Sequence, residues 1–190
     1  SDKQALKSAV TDRLSQNVLS AGLAIDSLPD QKWERSWMDK FHPTKFGSRL
    51  WICPSWAEPP EPKAINILMD PGLAFGSGSH ATTAMCMAWL SEQDFAASNV
   101  LDYGCGSGVL AIAASKLGAK KVWGIDIDPQ ALIATRNNSL KNHCENIIVG
   151  FPDQLPQTVK ADLIIANILA APLGELVDTF WQFSHAETEI

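Results

Sequence analysis

The stretch that most constrains this chain is VLDYGCGSGVLAIAA, residues 100–114. An apolar run ends in an acid, a glycine-rich turn follows, and a second apolar run begins. Glycine tolerates left-handed backbone and lets another group approach the main chain closely. A strand that turns sharply into a helix is half of a βαβ unit, whose next strand lies parallel to the first. The chain supplies the other elements. VLAIAASKLGA reads as a helix ended by Gly118, KVWGIDID as a second strand, PQALIATRNNSLKN as a second helix and NIIVGF as a third strand. ADLIIAN reads as a fourth strand, followed by a helix from about 169 to 180. Alternating strands and helices predict an α/β fold with a parallel sheet covered on both faces.

The residues before this unit are organised differently. Residues 3–20 carry apolar positions at helical spacing, and 22–28 form a short apolar piece. In DQKWERSWMDKF the aromatics Trp33, Trp37 and Phe41 recur every fourth residue, which predicts a helical stripe packed against a neighbouring domain. RLWICPSW and AINILMD read as strands separated by the proline loop EPPEP, which cannot be helical. DPGLAFGSGSHATT, 70–83, reads as a loop leading into a helix that begins near Thr82 or Thr83 and runs to Leu90.

Composition narrows the function. A net charge of -6 argues against a surface built to hold nucleic-acid phosphates. The four cysteines contain no C-x-x-C pair, so they suggest neither a disulfide framework nor a zinc site, and they fit a reducing compartment. The four histidines show no metal-ligand spacing. No apolar run is long enough for a bilayer and no signal peptide is legible, so the expected location is the cytoplasm, without a membrane partner.

The glycine turn is a nucleotide-site signature of low specificity by itself, since many such turns end strands for steric reasons alone. Its glycines, Gly104, Gly106 and Gly108, are followed by Val109 where a dinucleotide fingerprint would carry glycine. Asp102 sharpens the reading. Pyrophosphate at a helix N-terminus is favoured by positive potential, and a carboxylate in the same mouth opposes it. The same carboxylate suits a ligand bearing an ammonium and a sulfonium, which S-adenosylmethionine has. Asp126 ends the second strand and is placed to accept hydrogen bonds from ribose hydroxyls, whereas Asp128, just before Pro129, is a natural helix cap. Asn167 ends the fourth strand, beside the first in a doubly wound sheet, where its amide carbonyl can face an amine about to be methylated; helix capping is its plainer role.

These residues carry a resemblance. DYGCGSG, GIDIDPQA and ANILA resemble class I S-adenosylmethionine-dependent methyltransferases, and DPGLAFGSGSHATT with FGSRLWICPSW before it resembles the PrmA family, which methylates large-subunit ribosomal protein eleven. The likeness runs from about residue 33 to 176. It implies a Rossmann-like class I sheet, S-adenosylmethionine as cofactor, ribosomal protein eleven as partner, and lysine and N-terminal amines as acceptors. It also implies cofactor contacts at Thr83, Gly104, Asp126 and Asn167, with Asp102, Gly106 and Phe75 lining the site and Asn167 as the catalytic residue. The sequence departs from the family at Ala81, where the family has proline, and at Gly76-Ser77-Gly78-Ser79, where it has G-T-G-T; the hydroxyls survive. Relative to the family, residues 1–28 read as the remnant of a substrate-recognition domain, 29–45 as a linker helix, and 46–190 as a methyltransferase domain lacking its last strands.

An acceptor amine must be neutral to attack, and a lysine starts from a pKa of about 10.4. Desolvation against Phe75, Ala166 and Leu169 would lower it. No general base stands out; His80 is a lone loop histidine. The competing readings are a cofactor-binding but inactive fragment, a methyltransferase acting on another protein or a small amine, and a nicotinamide dehydrogenase. Asp102, Val109 and the Asn167 motif argue against the last. An amide or nucleobase methyltransferase would carry an aromatic clamp after Asn167, where this chain has Ile168-Leu169-Ala170.

Overall fold

β-Branched and apolar residues dominate the strands, and the burial pattern follows. In the computed structural model, which describes residues 41–70 and 80–190, Phe41–Ile190 form one compact unit. Four strands, β4 (Asn99–Tyr103), β5 (Lys121–Ile125), β6 (Ile147–Gly150) and β7 (Leu163–Ile165), make a wholly parallel sheet of order β6-β5-β4-β7. The register pairs Asp102 with Gly124 on one side and with Ile165 on the other. β4 therefore has its chain successor β5 on one flank and β7 on the other. The crevice at the carboxyl ends of β4 and β7 is the switch point where ligands bind in open α/β sheets.

Three further strands, β1 (Thr44–Phe46), β2 (Leu50–Cys53) and β3 (Ile65–Leu68), form a separate small sheet. β1 and β2 run antiparallel, and β2 and β3 parallel around the proline loop. Helix α1 (Ala81–Ser91) packs on β1 and β2, while α2 (Val109–Lys116) touches α1, β3, β4 and β5. Every residue of α2 from Val109 to Ala114 is buried, so this helix is apolar all round because it is enclosed all round. α3 (Pro129–Lys141) follows β5, and Asp128 caps it as expected, accepting from the Gln130 N–H at 2.9 Å. Asn142, the C-cap of α3, ties β3 of the small sheet to the end of α3. Its Oδ1 accepts from Leu68 N–H and its Nδ2 donates to Leu68 O, both at 2.8 Å, and Nδ2 also reaches Asn138 O.

Strand alternation divides the interior. Val100 joins the cluster around α1 and α2, whereas Leu101 joins a second one, with Trp123, Ile125, Ile164, Phe180 and Phe183, on the opposite face. Asp102, next in the alternation, falls on the α2 side.

Several boundaries differ from the sequence reading. The helix expected over 169–180 is two short helices, α4 (Ala170–Glu175) and α5 (Val177–Phe183), joined at Leu176. Gly174 weakens the last turn of α4, and the Leu176 N–H bonds to Leu173 O, a tighter i−3 closure. The fourth strand ends at Ile165, so Asn167 lies two residues beyond it, and β5 ends at Ile125, so Asp126 is the first residue outside. The helix near Thr82 begins at Ala81. The outer edge of β7 is partly paired: Ile164 N–H donates to Glu189 O, and Glu189 N–H to Asp162 O. The helix expected over 3–20, the aromatic stripe except Phe41, and the glycine loop with Phe75 lie outside the described residues. Among the described residues no helix is long and apolar enough to cross a membrane.

Candidate functional site

The turn after β4 is built on three glycines at positive φ: Gly104 at 81°, Gly106 at 54° and Gly108 at 80°. At Gly104 the reason is also spatial, because a Cβ there would lie 2.2 Å from Ile168 Cγ2. The main-chain donors of the turn are largely taken. Gly104 and Cys105 N–H both reach Ile125 O, at 2.7 and 3.0 Å, and Gly108 N–H reaches Cys105 O.

Two carboxylates take further donors. Asp126 Oδ2 accepts from Gly106 N–H at 2.9 Å, and its Oδ1 from Asp128 N–H at 3.0 Å. Asp102 Oδ2 accepts from Ala111 N–H, one of the first amides of α2, at 3.0 Å. An anion entering this turn would meet two carboxylates on the amides it needs. The turn is thus electrostatically the reverse of a phosphate cradle.

Asp102 is 1 % exposed, and its Oδ1 has no hydrogen-bond partner among the described residues. A buried carboxylate oxygen without a donor is strongly unfavourable. Burial pushes the carboxyl up to about 7, the Ala111 N–H works the other way, and the charge of Asp126 adds to the rise. A positive charge in the crevice lowers the cost of ionising such a buried carboxyl, so Asp102 fits a cationic ligand nearby. Burial, and next the charge of Asp102, also pushes the Cys105 thiol well above its ordinary range.

Asn167 and Thr83 meet across the crevice. Asn167 Nδ2 donates to Thr83 Oγ1 at 3.0 Å, joining residues 84 apart in the chain, and Thr83 is fully buried on α1. Donating through nitrogen leaves Asn167 Oδ1 as a remaining acceptor, and among the described residues nothing bonds to it. His80 is the N-cap of α1, with Nδ1 2.7 Å from Thr82 Oγ1. The carboxyl ends of β4, β5 and β7 and the first turn of α1 thus carry Asp102, Gly104, Gly106, Asp126, Asn167 and Thr83.

Two contributors escaped the sequence reading. Thr135 of α3 is fully buried, donates through Oγ1 to Gly106 O at 2.9 Å, and packs where a Cβ on Gly108 would stand. Its signal was present: Ala131, Thr135 and Ser139 form a stripe of small residues on the inner face of α3. Ile127, between Asp126 and Asp128, is 80 % exposed, an apolar side chain left bare beside a carboxylate. Among the described residues there is no group of three or more His, Cys, Asp or Glu side chains fit to hold a metal.

Comparison with known proteins identifies the family. The family model described as ribosomal protein L11 methyltransferase (PrmA) matches residues 2–190. A ribosomal protein L11 methyltransferase of Vibrio vulnificus is 56% identical over 165 residues, covering 85% of this chain and 56% of the relative. That of Aliivibrio salmonicida is 60% identical over 153 residues, covering 80% of this chain and 52% of the relative. The chain spans little more than half the length of these curated relatives. The crystal structure of ribosomal protein L11 methylase from Lactobacillus delbrueckii subsp. bulgaricus superposes with a TM-score of 0.69 at 34% identity, covering 78% of this chain and 77% of that one. The chain belongs to the ribosomal protein L11 methyltransferase (PrmA) family.

Proposed function

We propose that this chain carries the methyl-transfer centre of an enzyme that moves methyl groups from S-adenosylmethionine to lysine and N-terminal amines of ribosomal protein L11. The observation that carries the reading is the buried, unpartnered oxygen of Asp102 beside a turn whose amides are held by carboxylates. That chemistry favours a cationic ligand without phosphates. It disfavours a nicotinamide dinucleotide, whose pyrophosphate would need the Gly106 and Ala111 amides.

When bound, S-adenosylmethionine supplies a methyl carbon whose bond to a positively charged sulfur breaks as an amine lone pair attacks. The chain's own residues do the rest. The Asp102 charge, buried beneath the turn, attracts the ammonium through space and holds the first turn of α2 through the Ala111 N–H. Asp126 keeps lone pairs beyond those used by Gly106 and Asp128, and these accept from ribose hydroxyls. Ile127 offers an apolar surface to the base. Gly104 and Gly106 allow close approach of the main chain, and Phe75 is assigned to the lining on sequence grounds.

Thr83 fixes the amide of Asn167 so that Oδ1 faces the acceptor. A neutral amide accepts from an amine without adding a negative charge that would hold the proton on. Leu169, 79 % exposed, dries the amine only when the acceptor covers it. The amine's proton leaves to water.

Mass spectrometry of ribosomal protein L11 incubated with labelled donor tests the reading. The expected result is added mass in multiples of one methyl on amine positions, with kcat reduced about 100-fold by Asn167→Ala through lost positioning. Failure of the chain to bind the donor, or tighter binding of a pyrophosphate-bearing dinucleotide in the same crevice, would overturn it.

A further inference from the structure

Helix α5 carries two apolar faces where one suffices to hold it to the sheet, and α4 before it adds further bare apolar residues. Phe180 and Phe183 are buried in the second core, at 4 % and 5 % exposed, with Leu176 packed against them. Outside, Leu169, Leu173, Val177 and Trp181 follow one another at intervals of four. They are 79 %, 37 %, 62 % and 81 % exposed. Val177 and Trp181 share a face of α5, Leu173 stands on α4 before the tightened turn at Leu176, and Leu169 is the N-cap residue of α4, so the four make a run of bare apolar side chains along this segment. Isolated exposed apolar residues are ordinary, but a contiguous strip of this kind marks a contact surface.

Three observations say what covers it. The strip begins at Leu169, two residues after Asn167, so it runs outward from the mouth where the acceptor amine must enter. The charges on the two helices are acidic: α4 and α5 carry Glu175 and Asp178, both exposed, and no lysine or arginine, while Lys160 lies at the far end of α5, its Nζ donating to Gln182 O and Ser184 O. Finally, a two-fold contact between copies of this chain would turn the same acidic flank against itself, which opposes self-association through this face.

We propose that the Leu169–Leu173–Val177–Trp181 strip is the docking face for the protein acceptor, which presents a basic surface with apolar residues flanking the methylated amine. The proposal rests on the reading of the crevice as an amine methyltransferase site. The apolar side chains supply the dry contact that excludes water from Leu169 and the amine. Glu175 and Asp178 draw in and orient a lysine-rich surface, an effect that salt screens.

The test uses two variants of the full chain: Val177→Asp with Trp181→Asp, and Glu175→Lys with Asp178→Lys. All four positions are exposed and none is in the crevice. Steady-state methylation of folded ribosomal protein L11, donor affinity by calorimetry, thermal melting and sedimentation are measured for each. Both variants are expected to raise KM for the protein acceptor about tenfold, leaving kcat and donor affinity within about twofold. The charge reversal is also expected to flatten the salt dependence of KM. An unchanged KM in both variants overturns the docking face. So does a loss of melting temperature or of self-association in the aspartate variant when the charge reversal leaves KM unchanged, because the strip then serves the chain's own packing or a second copy. If the unaltered chain binds donor but does not methylate the acceptor, the functional reading falls and the docking face with it. Methylation with KM unchanged removes the docking face alone.

Discussion

Replacing Asp102 with asparagine separates what this carboxylate does for the fold from what it does for the ligand. Burial pushes its carboxyl from an ordinary 3.8 to about 7. The difference is about 3 pH units, and at 1.36 kcal/mol each the ionised form opposes folding by roughly 4 kcal/mol. Between about pH 4 and pH 7 the folded chain holds a proton on Asp102 that the unfolded chain has already lost. Stability from this group therefore falls as pH rises through that window and levels off above it. Asparagine carries no charge at any of these pH values, and its oxygen can still accept from Ala111 N–H. Its amino group then occupies the position of the unpartnered Oδ1, at a cost of about 1–3 kcal/mol. The expected net result is a variant more stable than the parent by about 1–3 kcal/mol near pH 8, with the advantage shrinking to nothing or reversing near pH 5. Urea unfolding of both chains at several pH values measures the difference, in which other titrating groups cancel. The same substitution is expected to weaken donor binding by at least about tenfold, read by calorimetry near pH 8. A stability difference that does not vary with pH, or an asparagine variant less stable than the parent near pH 8, would refute the argument that Asp102 is a stability defect retained for a cation.

Gly104→Ala is expected to destabilise the chain by about 2 kcal/mol or more and to weaken donor binding, because φ is 81° and the new Cβ would meet Ile168 Cγ2 at 2.2 Å; urea melts and calorimetry check both. Asn142→Ala should lower stability by about 2–4 kcal/mol in thermal or urea unfolding, since it leaves the Leu68 N–H and O without partners where β3 meets the end of α3. A loss under about 0.5 kcal/mol would mean that the clasp between β3 and α3 is dispensable.

The alternation of strands and helices from Asn99 onward was legible because its causes are local. Apolar residues repeat with the period of the element they belong to, Asp128 and Pro129 start a helix, and Gly118 at φ 106° ends one. The family motifs were legible for the same reason, being short runs whose residue types suit a turn. Those features by themselves determined a doubly wound α/β chain with a glycine turn flanked by acids. Tertiary structure decided the rest. It set the small sheet of β1–β3 apart, enclosed α2 between the two sheets, and tightened the chain at Leu176. It closed Asp102 off from water and turned Asp126 onto the Gly106 amide. It also brought Asn167 to Thr83 across 84 residues. Burial and long-range partners depend on how elements pack, which no window of sequence contains, and the charge state of a carboxylate depends on both.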